Sequence, residues 1–197
     1  MCEFVQIPRT ERRRIFRAAF VSSLPVLLGY VTMGFAAGVL MGVARDVPCA
    51  PFWSGFLALA TVSGTLSFVI PSQIESCASL GSIALLTLAI NFRYAFYGFS
   101  MLKRWRGAPF VQKYILIHSL ADEVFALDLT CTETDPIKNR LFCLWNHILD
   151  ASYWIVGTTL GAIAGATLPI PTKGIEFTMV ALFLVIFTDQ IRGFVKK

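Results

Sequence analysis

The hydrophobic positions of this chain gather in long uncharged runs, Ala18 to Ala44, Val47 to Ile74, Ser76 to Phe92 and Ala151 to Thr172. A helix crossing the apolar core of a bilayer needs roughly 20 such residues, so each run approaches or exceeds one crossing. The pattern predicts an all-α polytopic membrane protein, one transmembrane domain over residues 1–197 with almost no soluble part. The first run follows the basic stretch ERRRIFR. It is far longer than the apolar core of a cleavable signal, at most about 15 residues, and is read as a retained first helix behind a basic leader at 1–17.

Polar interruptions within the runs carry the next expectation. SGTLS at 63–67 and PSQ at 71–73 place Gly64 and Pro71 inside the second run, with hydroxyls able to satisfy freed backbone groups. A broken or re-entrant segment is expected there. Arg9, Arg12, Arg13, Arg14 and Arg17 precede the first span, and Lys103, Arg104, Arg106 and Lys113 follow the third run. The positive-inside rule makes both clusters cytoplasmic, as well as the N-terminus and the Arg192 to Lys197 tail. Residues 45 to 50 and the charge-balanced loop TETDPIKNR are expected outside, with one crossing near 114 to 130. Gly34, Gly38 and Gly42 recur 123 positions later as Gly157, Gly161 and Gly165. With that crossing the two glycine helices run in opposite directions, which predicts inverted repeats, the architecture of many secondary transporters. The direct role of both glycine faces is close helix packing.

Composition agrees: 56% of residues are hydrophobic, and the mean hydropathy is positive. The net charge of +5 gathers at helix ends, which points to topology and away from nucleic acid. Cys2, Cys49, Cys77, Cys131 and Cys143 form no CxxC pair and have no histidine at ligand spacing. No disulfide framework, metal or cofactor is expected. The chain carries no GxSxG, Walker or HExxH motif, and neither SLADE nor NHILD supplies a Ser-His or paired-aspartate signature. No enzyme activity is expected.

The sharpest anomaly is NFRYAFYGFSM at 91–101, which puts Asn91 and Arg93 inside an apolar run. If the helix ends near Lys103, Arg93 lies roughly 15 Å from that end, close to the bilayer centre. An arginine there costs about 2.5–3.5 kcal/mol on insertion scales, so it should face a carboxylate, a cavity or helix-end carbonyls. Asp122 and Glu123 in SLADEVFAL, and His147 and Asp150 in NHILDASYW, are the candidate partners. Adjacent on a helix, Asp122 and Glu123 diverge by about 100°, so one pairs with Arg93 while the other faces water. Two readings stand side by side: substrate or proton handling, or a buried pair that only fixes helix register. His118 and His147 are expected at the membrane edge, and Trp105 and Trp154 as interfacial anchors.

LPVLLGYVTMGFAAGVLMG at 24–42, NFRYAFYGFSM, SLADEVFAL, YWIVGTTLGAIAG at 153–165 and GIEFTMVALFLV at 174–185 resemble, in order and spacing, the AzlC-type large subunit of branched-chain amino acid exporters. The likeness covers nearly the whole chain. It implies efflux of valine, leucine and isoleucine across the cytoplasmic membrane, together with a small membrane subunit of the AzlD type. On an amino acid, Arg93 would bind the carboxylate and Asp122 or Glu123 the ammonium, and Asn91, Ser63, Gly64 and Gln73 complete the expected site. The alternative is a non-transporting scaffold or assembly subunit. The chain departs from the family at SGTLSFVIPSQ, where members have a Gly-Ala-Gln sequence, and it stops at IRGFVKK, where members continue with hydrophobic sequence. A C-terminally shortened member is expected.

Overall fold

The computed structural model describes residues 7–44, 47–170, 172, 174, 175, 177, 181, 184 and 188. The expectation for the Arg192 to Lys197 tail lies outside them. The helices are α1 (Arg9–Val43), α2 (Ala50–Thr61), α3 (Gly64–Glu75), α4 (Leu80–Met101), α5 (Phe110–His118), α6 (Asp122–Leu129) and α7 (Pro136–Thr167), with no strand among the described residues. The all-α expectation holds. Only α1, α4 and α7 are long and apolar enough to cross a membrane. At a rise of about 1.5 Å per residue, α2 and α3 each reach roughly 18 Å and α5 and α6 less, about half a bilayer core.

Local chemistry marks the starts. Asp135 caps α7 by accepting from the backbone nitrogens of Ile137 and Lys138, and Pro136 occupies the first turn, where its missing N–H has no partner to lose. Ser79 caps α4 by accepting from the Ser82 nitrogen at 3.2 Å. α2 ends where Val62 adopts left-handed backbone (φ 43°) and Ser63 is extended. Left-handed backbone is strained for a β-branched residue, which marks a sharp turn held by its surroundings. Pro71, expected to interrupt helix, lies within α3, which continues to Glu75.

α1 and α7 lie side by side and run in the same direction. Ile15 and Ala19 pack with Leu141 and Phe142, Phe16 meets Trp145 edge-on at 4.9 Å, and Tyr30 meets Trp154 edge-on at 5.6 Å. Farther along, a methyl on Gly34 would stand 3.2 Å from the Thr158 nitrogen, one on Gly38 2.8 Å from that of Ala162, and one on Gly42 2.9 Å from that of Ala166. Gly157, Gly161 and Gly165 face Val31, Phe35 and Val39 in return. Lipid offers no hydrophobic drive for helix pairing, so this backbone-to-backbone contact, with the Ser23–Tyr153 hydroxyl pair at 3.1 Å, holds the two together.

The short helices form two hairpins that enter from opposite ends. α2 descends against α7, with Ser54 donating to the Thr158 carbonyl at 3.2 Å and Ala58 reaching Trp154. After the turn at Val62, α3 starts beside Trp154 and climbs back, with Phe68 in the cluster of Ala37 and Leu40. α4 then runs the other way, and Met101 and Trp105 pack with Leu116 and Cys143. α5 rises from that end to bring Ser119 to His147. α6 returns: Glu123 meets Tyr30, Asp128 meets His147, and the following loop meets Asn139 and Arg14 through Cys131 and Glu133.

This geometry corrects three expectations. The segment 114–130 is a second re-entrant hairpin and not a crossing, because its chain turns back at Ser119 to Ala121. TETDPIKNR therefore lies at the same end as the basic leader, where Arg14 pairs with Glu133 and Arg104 donates to Asn139 at 2.9 Å. The glycine helices, for the same reason, are parallel. The inversion falls elsewhere: α1 followed by the hairpin α2–α3, and α4 followed by the hairpin α5–α6, have the same order and opposite orientation. The basic clusters at 9–17 and 103–106 do share one end, as expected.

Candidate functional site

The hairpin tips meet midway along α7. The His118 ring nitrogen Nε2 lies 2.8 Å from the Leu59 carbonyl, and Val62, Ser119 and His147 border one cavity of about 610 Å³. Both α3 and α6 thus begin at mid-depth, with first-turn N–H groups that have no partner inside their helix. In α6 the first turn carries Asp122 and Glu123, which complement that positive end. In α3 it carries no acid, and the Ser63 hydroxyl at its cap is enclosed with no partner among the described residues.

Arg93 on α4 reaches across to this tip. Its Nη1 lies 2.9 Å from Asp122 Oδ2, and its Nη2 donates to the Tyr94 hydroxyl at 3.3 Å with the guanidinium carbon 5.1 Å from that ring centre. Tyr97, one turn on, lies within electrostatic reach of Asp122 and stacks on Phe125 at 4.7 Å. The pair is not saturated: Arg93 Nε and Asp122 Oδ1 are enclosed and unpartnered. One donor of a cation and one acceptor of an anion therefore stand side by side with unused capacity.

Glu123 diverges from Asp122, as adjacent helical residues must. It does not face water: it accepts from the Tyr30 hydroxyl at 2.8 Å. Tyr30 in turn abuts Trp154, whose indole lies against Gly64, where an added methyl would meet the ring at 3.5 Å. Ser63 and Gly64 are thus tied to the Arg93–Asp122 pair through Trp154, Tyr30 and Glu123. Asn91 stands two residues before Arg93, a spacing that sends the side chains to different sides of α4, and its Oδ1 is enclosed and unpartnered. Gln73 sits near the far end of α3, roughly 13 Å along the helix from Gly64, and is not brought to the pair.

Tyr30 escaped the sequence reading. Its only signal was a hydroxyl inside an apolar glycine helix. The tryptophans proved to be interior side chains: Trp105 is fully buried and Trp154 4% exposed, because Trp105 fills the space between α4, α5 and α7 and Trp154 the space beneath α3. His147 is also fully buried rather than interfacial. The fold brings Ser119, His147 and Asp128 within hydrogen-bond distance, a Ser-His-Asp order that sequence spacing did not reveal. Ser119 is poorly placed as a nucleophile, since its hydroxyl donates to the Ile115 carbonyl at 2.6 Å. No cluster of metal-ligand type occurs among the described residues.

Comparison with known proteins covers every residue of this site. The family model described as AzlC protein matches residues 25–168. The branched-chain amino acid transport protein AzlC of Bacillus subtilis is 31% identical over 175 residues, 89% of this chain and 67% of that protein. An uncharacterized membrane protein of Helicobacter pylori strain 26695 is 32% identical over 180 residues, 91% of this chain and 77% of its own length. The inner membrane protein YgaZ of Escherichia coli is 27% identical over 172 residues, covering 82% and 67%. No solved structure matches the chain.

Proposed function

The chain belongs to the AzlC family, and from that premise we propose that it exports branched-chain amino acids such as valine across the cytoplasmic membrane, as the large subunit of a two-component secondary transporter. The observation that carries this reading is the unsaturated Arg93–Asp122 pair at the meeting point of two opposed re-entrant hairpins. An amino acid brings one carboxylate and one ammonium. Arg93 offers the former a planar fork of donors, and Asp122 with Glu123 offers the latter two carboxylates. Phe125, Tyr97 and Trp154 supply the apolar and aromatic surface nearby for a branched side chain. Broken helices that meet at mid-depth between inverted units are the usual setting of such sites, because rocking one unit against the other exposes the site to each side in turn.

The basic end, with Arg14, Arg104 and Arg106, is assigned to the cytoplasm by the positive-inside rule, which places the N-terminus there. The partner is a small helical membrane protein of the AzlD type.

Counterflow of labelled valine in vesicles, with and without the small subunit, tests the proposal. Exchange that requires this chain supports it. The competing reading is a scaffold in which Arg93 and Asp122 only lock α4 to α6, favoured by the 2.9 Å ion pair they already make. A correctly inserted complex that exchanges no valine, leucine or isoleucine supports the scaffold and refutes transport.

A further inference from the structure

Beside the candidate site, three helices contribute a second polar chain. His147 of α7 is fully buried, with Nε2 3.1 Å from Asp128 Oδ2 on α6 and Nδ1 2.9 Å from the Ser119 hydroxyl that closes α5. Trp105 covers the imidazole edge-on at 5.8 Å. The cavity of about 610 Å³ between the hairpin tips reaches both Ser119 and His147. One turn along α7, Asp150 is fully buried and neither of its carboxylate oxygens has a partner. The groups that face this set are Glu123 and Asp128 from α6, Tyr30 from α1 and Cys143 from α7, with Arg104 in reach of Cys143. Those in electrostatic reach of Asp150 are acidic.

Counting protons shows what the arrangement can do. The Ser119 hydroxyl has one proton, and at 2.6 Å it goes to the Ile115 carbonyl. Nδ1 of His147 must then donate to Ser119. The contact from Nε2 to Asp128 needs a further proton, held by the ring or by the carboxyl. If instead Ser119 turns to donate to Nδ1, the ring needs its single proton on Nε2 for Asp128, and the set holds one proton fewer. Rotation of one hydroxyl thus separates two states that differ by one proton. Asp150 adds a second place for it. A carboxyl with no donor and no cation in a dry interior is neutralised by a proton, and buried Asp, Glu and His chains inside membranes are the usual parts of proton relays.

We propose that Asp150, together with the Asp128–His147 pair, binds and releases the proton whose entry drives substrate export. The inference rests on the transport reading and adds its coupling ion. Glu123 joins the two regions, since it accepts from Tyr30 in the candidate site and lies in electrostatic reach of Asp150. A substrate ammonium arriving at Asp122 and Glu123 brings positive charge, which favours the ionised form of Asp150 and expels its proton. Proton and substrate therefore compete, and the sense of coupling is exchange: proton inward, amino acid outward.

The test uses the full chain with its small subunit in vesicles loaded with labelled valine. An acid exterior should accelerate valine efflux, with protons taken up as valine leaves. Asp150→Asn, which keeps the shape of a protonated carboxyl, should retain valine counterflow within about twofold and lose at least tenfold of the acid-driven efflux and of the linked proton uptake. Acid-driven efflux unchanged in Asp150→Asn overturns the inference, as does a wild type that exchanges valine yet ignores the pH gradient. Both outcomes leave the transport reading standing, whereas absence of counterflow in the wild type removes that reading and this one with it. If Asp150→Asn does not reach the membrane, Asp150→Glu keeps a protonatable group and should retain acid-driven efflux with a displaced pH midpoint. An unchanged pH profile in that variant overturns the inference.

Discussion

At the scale of single residues, the Arg93–Asp122 pair separates substrate binding from simple fastening. Arg93→Lys keeps the charge and loses the planar fork, so valine flux should fall about tenfold while the protein still inserts, and Arg93→Ala should fall further, about a hundredfold. Each single alanine leaves its former partner buried without a counter-ion, a loss on the order of 3–5 kcal/mol in a buried setting. The double variant Arg93→Ala with Asp122→Ala should recover thermal stability relative to either single change and still move no valine. Near-native valine efflux from that double variant would refute the binding role. Tyr30→Phe makes a different demand: it removes the donor to Glu123, leaves that carboxylate unsatisfied, and should destabilise by roughly 1–3 kcal/mol. A melting temperature equal to that of the wild type would mean that water or lipid headgroups already satisfy Glu123.

At the scale of elements, the α1–α7 pair depends on the absence of side chains. A methyl on Gly38 would collide with the Thr158 carbonyl, and one on Gly161 with the Phe35 carbonyl, so Gly38→Ala and Gly161→Ala must push the two backbones apart. Both should lower thermal stability in detergent by several degrees or prevent insertion altogether. Gly29→Ala and Gly98→Ala meet open space, and alanine is the better helix former by about 1 kcal/mol, so these should be neutral or slightly stabilising. Equal effects at Gly29 and Gly38, read by fluorescence-detected unfolding, would contradict the tight parallel contact. The glycine spacing made this interface legible in the sequence, since small residues four apart form one helical face. Its direction was not legible, because the same face packs equally well against a parallel or an antiparallel neighbour.

At the scale of the molecule, the re-entrant hairpins decide which loops share a side. Position 132, in the loop after α6, should lie on the same side as position 107, and Cys49 and Cys77 on the other. Single-cysteine variants treated with an impermeant maleimide in intact cells should label at Cys49 and Cys77, and at Thr132→Cys only after permeabilisation. Burial pushes the native Cys131 thiol up and slows its reaction, which makes Thr132→Cys the better probe. Labelling of Thr132→Cys and Cys77 from one side would restore a crossing at 114–130. By itself the sequence determined the class of protein, because apolar run length and basic flanks answer directly to bilayer thickness and insertion charge. It also determined that Arg93 needs a carboxylate near SLADE, that SGTLS breaks a helix, and that two glycine faces are contact surfaces, all of which are local consequences of residue type in lipid. Only the tertiary structure decided that α5 and α6 double back. Ser119 to Ala121 contains neither glycine nor proline, so that turn is held by contacts with α1, α4 and α7 rather than by local preference. From that one turn follow the parallel glycine helices, the pairing of Glu123 with Tyr30, and the meeting of Ser119, Asp128 and His147, residues 9 to 28 positions apart whose proximity exists only once the hairpin has folded against α7.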